Sequence, residues 1–239
     1  MHGCGNDFIV VDEPAPIDPA RARALCDRRT GVGADGLLVI GAPQGRRWPL
    51  VIHNADGSIA DACGNGSRCV ARYLLDRHGG DALELDTASG VVRAWRDPEG
   101  IGIELVAPRL GDHLRVDGRE ARAVRVGNPN VIIFVDDAAR EDLNAIAAAS
   151  TTLTGPANVG VVVVRGPAEL ELRVHERGVG ETLACGTGSC AAVAAAIARG
   201  DVTSDTVRVR LPGGTLFVRP RGDHYELAGP AEYVFTGEV

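Results

Sequence analysis

The chain repeats itself once. Ala62-Cys63-Gly64-Asn65-Gly66-Ser67 returns 122 residues later as Ala184-Cys185-Gly186-Thr187-Gly188-Ser189, in a protein of 239 residues. At the same offset Gly5-Asn6 returns as Gly127-Asn128, Gly33 as Gly155, and His53-Asn54 as His175-Glu176. Later turns drift slightly: Gly80-Asp81 is answered by Gly200-Asp201, and Ser89-Gly90 by Gly213-Gly214. Among 31 glycines one coincidence would mean little, but several in the same order point to duplication. A long period used twice gives two similar domains, whereas a solenoid needs three or more short repeats. The chain is long enough for two domains, each with its own core.

Apolar runs alternate between strand-like and helix-like patterns, which predicts an α/β fold. In the first half, strands are predicted at Phe8–Asp12, Leu37–Ile40, Leu50–His53, Leu83–Thr87, Gly90–Arg96 and Gly102–Val106. Helices are predicted at Pro19–Arg28, with Asp18 as its N-cap, and at Ser67–His78, stopped by Gly79-Gly80. The second half repeats the plan with strands at 122–127, 131–136, 159–164 and 170–175, and helices at Glu141–Ala149 and Ser189–Arg199. The last helix is almost entirely Ala, Val, Ile and Cys. A helix apolar all round belongs where every side is covered, most simply inside a curled sheet. The polar stretch from Ala107-Pro108-Arg109 to Gly118 is the expected hinge between the halves.

Each repeated hexapeptide puts a cysteine on a Gly-x-Gly turn that opens a helix. Unpaired N–H groups and the positive end of the helix dipole make such a place an anion site. A cysteine there is expected to have its pKa lowered toward neutrality, and its thiolate is a base. The same N–H groups can hold a substrate carboxylate and stabilise the charge that develops when the neighbouring α-proton leaves. Two such turns facing one ligand would let one sulfur take a proton and the other return one. The pattern therefore predicts inversion of a stereocentre. No lysine is present, so all 25 basic residues are arginine and a pyridoxal phosphate Schiff base is ruled out.

Other functions fit poorly. A net charge of −7 gives no basic face for nucleic acid. No apolar run nears the roughly 20 residues that span a bilayer. The start, Met1-His2-Gly3-Cys4-Gly5-Asn6, lacks the regions of a signal peptide, so a cytoplasmic protein is expected. Cys26, Cys69 and Cys190 read as small buried hydrophobes, and packing is the favoured reading of Cys4 as well. The spacings Cys63-x₅-Cys69 and Cys185-x₄-Cys190 match zinc knuckles poorly, so no metal is expected.

On these stretches the chain resembles the diaminopimelate epimerases, cofactor-independent enzymes that interconvert LL- and meso-diaminopimelate. The matching segments are Met1–Asp12, Leu25–Leu38, Asn54–Cys69, Gly127–Pro129, Glu176–Cys190, Leu211–Gly214 and Ala228–Ala231. The resemblance implies two pseudo-symmetric domains, each a curled mixed sheet around a central helix, with the active site in the interdomain cleft. Residues 1–112 would form the first domain, joined by a C-terminal strand at 230–239, and 113–229 the second. It implies that Cys63 and Cys185 transfer the proton and that Gly64-Asn65 and Gly186-Thr187 bind the carboxylate through their backbones. It also implies that Asn6, Asn54, Asn128, Asn158, Glu176 and Arg177 contact the substrate. Glu176 would in addition tune the thiols. Arg177 suits the distal carboxylate, because guanidinium pairs with it as a fork. Asn54, seen alone, reads as a turn residue satisfying local backbone. Asn130 stands where relatives commonly have histidine. No cofactor and a homodimer are further implications. The competing readings are a racemase of another amino acid on the same scaffold, and a non-catalytic amino-acid-binding relative.

Overall fold

The 122-residue repeat is a repeat of topology. In the computed structural model, residues 1–12 and 16–238 are described. The chain folds into two compact units, Met1–Glu104 with Ala228–Val239, and Leu105–Leu227.

The first unit opens with β1 (His2–Gly3), β2 (Asn6–Asp12), α1 (Pro19–Cys26), β3 (Gly36–Ile40), β4 (Arg47–Asn54) and β5 (Ile59–Ala60). There follow α2 (Gly64–His78), β6 (Ala82–Thr87), β7 (Gly90–Asp97) and β8 (Gly100–Val106), the last reaching the unit's edge. β2 runs parallel to β3, β3 antiparallel to β4, and β4 antiparallel to β5 and parallel to β6. β6, β7 and β8 continue as an antiparallel meander.

The second unit opens with β9 (Arg109–Val116), β10 (Arg119–Val126), β11 (Asn128–Phe134) and a 3₁₀ turn at Ala138–Arg140. It continues through α3 (Leu143–Thr154), β12 (Asn158–Gly166), β13 (Glu169–Glu176), β14 (Gly180–Thr182), α4 (Gly186–Arg199), β15 (Val207–Leu211), β16 (Gly214–Pro220) and β17 (His224–Gly229). Its pairings copy the first unit. β11 is parallel to β12, β12 antiparallel to β13, β13 antiparallel to β14 and parallel to β15, and β15 antiparallel to β16. Each unit is therefore a mixed sheet with one long buried helix, α2 or α4. α4 is buried from Gly188 to Ala196, and it packs on β10, β11, β12, β13 and β16. On another face of that sheet, Leu143, Ile146 and Ala147 of α3 close over Val159, Val161 and Val163. With helices on both faces, β12 reads as an unbroken apolar run rather than an alternating one.

Local chemistry sets the element ends. Asp18 caps α1 as expected, accepting from the N–H groups of Ala20 and Arg21. The helix stops at Cys26, short of the predicted Arg28. There the Asp27 carboxylate turns the chain by accepting from the N–H groups of Arg29 and Thr30. Both central helices begin three residues before the predicted Ser67 and Ser189. The cysteines themselves are the N-caps, and the glycines that read as a loop form the first turn. α3 runs to Thr154 rather than ending at Ala149, and the Thr152 and Thr154 hydroxyls bond the carbonyls of Ala148 and Ser150.

The expected hinge at 107–118 is a strand. Arg109–Val116 pairs antiparallel with β10 through a two-residue turn at Asp117-Gly118, both at positive φ (48° and 78°). That geometry is preferred in tight hairpins, and the polar composition of an exposed strand concealed it. At the other end of the chain, the strand expected at 230–239 is absent from the described residues 230–238. The regular strand ends at Gly229, and a single bridge joins Glu232 to His2.

Candidate active site

In the first unit, a hairpin turn delivers the first candidate side chain. Cys4 and Gly5 both lie at positive φ (53° and 82°) between β1 and β2, which places Asn6 at the first position of β2. Cys63 caps α2 with its own sulfur, which accepts the N–H of Gly66 at 3.3 Å. The Asn6 Oδ1 accepts from that cysteine's thiol at 4.0 Å and from the Asn65 amide at 3.2 Å. Asn6 in turn donates to Asp35 at 2.7 Å, so both ends of its amide are fixed. Asn6, Cys63 and Asn65 are thus brought together. Gly64 is the first residue of the same helix. Asn54 has a different partner. At the exposed end of β4 it donates to the Ser58 hydroxyl at 2.9 Å, inside the turn that local sequence suggests.

Glycine at position 66 sits in close packing. A Cβ there would stand 3.0 Å from Leu38 Cδ2 and 3.5 Å from the Cys63 sulfur. Its repeat partner Gly188 is similar, with Val174 Cγ2 at 3.2 Å and the Cys185 sulfur at 3.4 Å.

In the second unit, Cys185 caps α4 but is only 5% exposed. Its sulfur donates to Glu176 Oε2 at 3.4 Å and lies 3.5 Å from the Thr187 hydroxyl. The other oxygen of Glu176 accepts from Thr182 at 2.7 Å, which fixes the carboxylate. The expected lowering of the pKa fails at this cysteine. Burial pushes the Cys185 thiol well up and the Glu176 charge adds to that, against the Thr187 hydroxyl and the Gly188 N–H. Asn130 and Asn158 are both buried. Asn130 donates to the carbonyl and side chain of Asn128 at 3.1 and 3.3 Å. Asn158 lies 3.5 Å from Asn130 and accepts the N–H of Arg177 at 3.0 Å. Three asparagines are thereby joined to the loop that carries the exposed Arg177.

The sequence matches the family model for diaminopimelate epimerase over residues 1–102 and 122–234. It is 39% identical over 272 residues to the diaminopimelate epimerase of Alkalilimnicola ehrlichii, covering 100% of this chain and 96% of that one. The corresponding protein of Xanthomonas euvesicatoria is 41% identical over 269 residues, with coverage of 100% and 94%. The chain belongs to the diaminopimelate epimerase family. Solved structures agree on the fold. A predicted epimerase from Pseudomonas aeruginosa superposes with a TM-score of 0.70 at 18% identity, covering 97% of this chain and 94% of that one. A hydroxyproline epimerase from Agrobacterium vitis gives 0.69 at 16% identity, with coverage of 96% and 87%.

Within this diaminopimelate epimerase family chain, three polar groups at the cysteines escaped the sequence reading. Thr182 fixes Glu176, Asp35 fixes Asn6, and Arg68 donates to Asn65 Oδ1 at 3.0 Å. Thr182 lay within a segment already recognised as matching, three residues before Cys185, and that proximity was the available signal. Asp35 and Arg68 likewise lie within the matching stretches Leu25–Leu38 and Asn54–Cys69, but at 29 residues from Asn6 nothing local pairs Asp35 with it. Among the described residues, no cluster of three or more His, Cys, Asp and Glu side chains could hold a metal ion, and no helix is long and apolar enough to cross a membrane.

Proposed function

We infer that the protein interconverts LL- and meso-2,6-diaminopimelate, an isomerase step in lysine and peptidoglycan precursor synthesis. The observation that carries this reading is that both cysteines cap equivalent helices in a chain of this family. Inversion needs a proton removed from one face of the α-carbon and another delivered to the opposite face. Cys63 and Cys185 are the acceptor and donor, exchanging roles with the direction of reaction. Cys185 rests as the thiol, with its proton turned toward Glu176. Once that proton is given up, a thiolate would stand beside a carboxylate. The like charges favour rapid reprotonation, so Glu176 tunes this thiol by opposing its anion.

The N–H groups at Gly64-Asn65 and Gly186-Thr187 bind the carboxylate at the reacting centre, where helix ends favour negative charge. Asn6, Asn54, Asn128 and Asn158 serve the zwitterionic groups of the substrate, since an amide both donates and accepts. Arg177 takes the distal carboxylate. No cofactor is used. The enzyme works in the cytoplasm as a homodimer, which would cover the exposed Tyr233, Val234 and Phe235.

The test is a reaction from pure LL-diaminopimelate in deuterated water. Early meso product should carry deuterium at the inverted centre while the remaining substrate carries little. Early product that retains the substrate's hydrogen would rule out the two-thiol mechanism, and failure to form any meso isomer would rule out the substrate.

A further inference from the structure

Arg68 is fully buried on α2, one helical turn beyond Cys63. Placing a guanidinium there is costly unless the charge is used. Its Nη2 donates to Asn65 Oδ1 at 3.0 Å and its Nη1 to the Gly64 carbonyl at 3.3 Å, while its Nε has no partner. Burial opposes its charge, and the groups that most support that charge are the sulfurs of Cys4, Cys69 and Cys63 rather than carboxylates. The chain is shaped to admit it. A Cβ on Gly3 would stand 3.2 Å from Arg68 Nη2 and from the Asn65 carbonyl oxygen, so glycine lets β1 lie close over the guanidinium.

Three consequences follow from the geometry. Arg68 fixes which end of the Asn65 amide faces it, so the Asn65 Nδ2 is turned to Asn6 Oδ1. Asp35 fixes the other end of Asn6, and Arg28 holds Asp35 at 2.7 Å. The result is a chain of single-direction hydrogen bonds from Arg68 through Asn65 and Asn6 to Asp35. The Cys63 sulfur is also among the groups that support the Arg68 charge, so the guanidinium favours a thiolate there in return. The other ionisable groups around it do not replace it. Burial raises the thiols of Cys4 and Cys69, the latter to about 12, while the N-terminal ammonium acts on Cys69 and the mostly exposed Glu232 on Cys4.

We infer that Arg68 is a positioning residue for the proposed reaction, aligning Asn65 and Asn6 beside Cys63 and favouring the thiolate there when the proton leaves. The inference rests on the two-thiol reading above and adds that the two sulfurs are made unequal by their neighbours, a buried cation for one and a carboxylate for the other.

The test is alkylation of Cys63 by iodoacetamide as a function of pH, resolved by peptide mapping, in wild type, Arg68→Met and Arg68→Lys. Epimerisation of LL-diaminopimelate is followed in parallel. Wild-type Cys63 should have a midpoint below the ordinary thiol value of about 8.5. Arg68→Met should raise that midpoint by about one pH unit or more and lower kcat. Arg68→Lys should keep a low midpoint and raise KM, since an ammonium supplies the charge without the two-pronged contact to Asn65 and Gly64. A folded Arg68→Met protein with the wild-type midpoint overturns the proposal. If that variant does not fold, a wild-type midpoint at or above about 8.5, or a Lys variant with an ordinary thiol at Cys63, overturns it instead. A low Cys63 midpoint without epimerisation leaves Arg68's role standing and removes the substrate assignment.

Discussion

The two cysteine turns share sequence, helix and position in the repeat, yet their surroundings differ in charge. At Cys63 the sulfur is half-buried, accepts a backbone N–H and lies near a buried arginine. At Cys185 it is almost fully buried, and its nearest charged partner is the carboxylate of Glu176. Equivalent backbones therefore carry opposite neighbours. A helix N-terminus is worth a modest amount at a surface, and the burial and carboxylate at Cys185 outweigh it. Duplication supplied two similar turns, and a few side chains set different charges beside their sulfurs.

The largest test of this contrast removes the sulfurs one at a time. Cys63→Ala and Cys185→Ala should each reduce epimerisation by at least ~10³-fold, because each direction of reaction needs both an acceptor and a donor. Measuring meso product from LL-diaminopimelate decides this. Near wild-type turnover by either variant would end the two-thiol account.

A smaller effect should follow from Glu176→Gln. The amide keeps an acceptor for the Cys185 sulfur but removes the negative charge, so the pKa of Cys185 must fall. Alkylation of Cys185 should shift to lower pH while the Cys63 profile stays in place, and turnover should drop by roughly 10- to 100-fold. An unchanged Cys185 profile would mean that burial alone holds this thiol protonated.

The repeat and both cysteine positions were legible because turn glycines and caps leave their mark within six residues. The polar framework was less so. Arg68 lies in Ser67-Arg68-Cys69-Val70-Ala71-Arg72, where an arginine reads as a solvated face, and nothing local tells that β1 will close over it through Gly3. Asp35 and Asn6 meet only because β2 and β3 pair in parallel. The raised thiol pKa at Cys185 is not legible in sequence because a dipole argument is local, whereas burial depends on how a whole sheet wraps α4. Asn130 shows the same limit. Its service as a bridge from Asn128 to Asn158 appears only once β11 and β12 are side by side.

Packing at the two turns is open to a matched pair of substitutions. In both Gly66→Ala and Gly188→Ala, the added methyl improves helix propensity by roughly 1 kcal/mol. Against that stands overpacking, typically ~1–3 kcal/mol. The closer contact is at position 66, where Leu38 is fully buried and has little room to move. Chemical denaturation should find Gly66→Ala less stable by about 1 kcal/mol and Gly188→Ala near neutral. The reverse order would mean that α4, not α2, is the more tightly enclosed helix.

The smallest effect concerns acid stability in the second unit. Arg173 forks onto Glu181 at 2.7 and 2.9 Å and also donates to the carbonyls of Ala138 and Glu141, tying β13 to the 3₁₀ turn and the start of α3. The Arg173 hydrogen bonds hold the Glu181 pKa below its ordinary value, outweighing a smaller opposing effect of burial. A carboxylate with a lowered folded pKa binds fewer protons in the native state than in the unfolded one. Its stabilisation is therefore complete above the unfolded pKa, about 4.3, and is lost as pH falls through the lower folded value. With Glu181 37% exposed, solvent screening limits the contribution to under about 1 kcal/mol. Glu181→Gln should then lower stability slightly at pH 7 and flatten part of the decline below pH ~4. Parallel denaturation curves for the two proteins at both pH values would show that Arg173 holds this unit together through its backbone contacts alone.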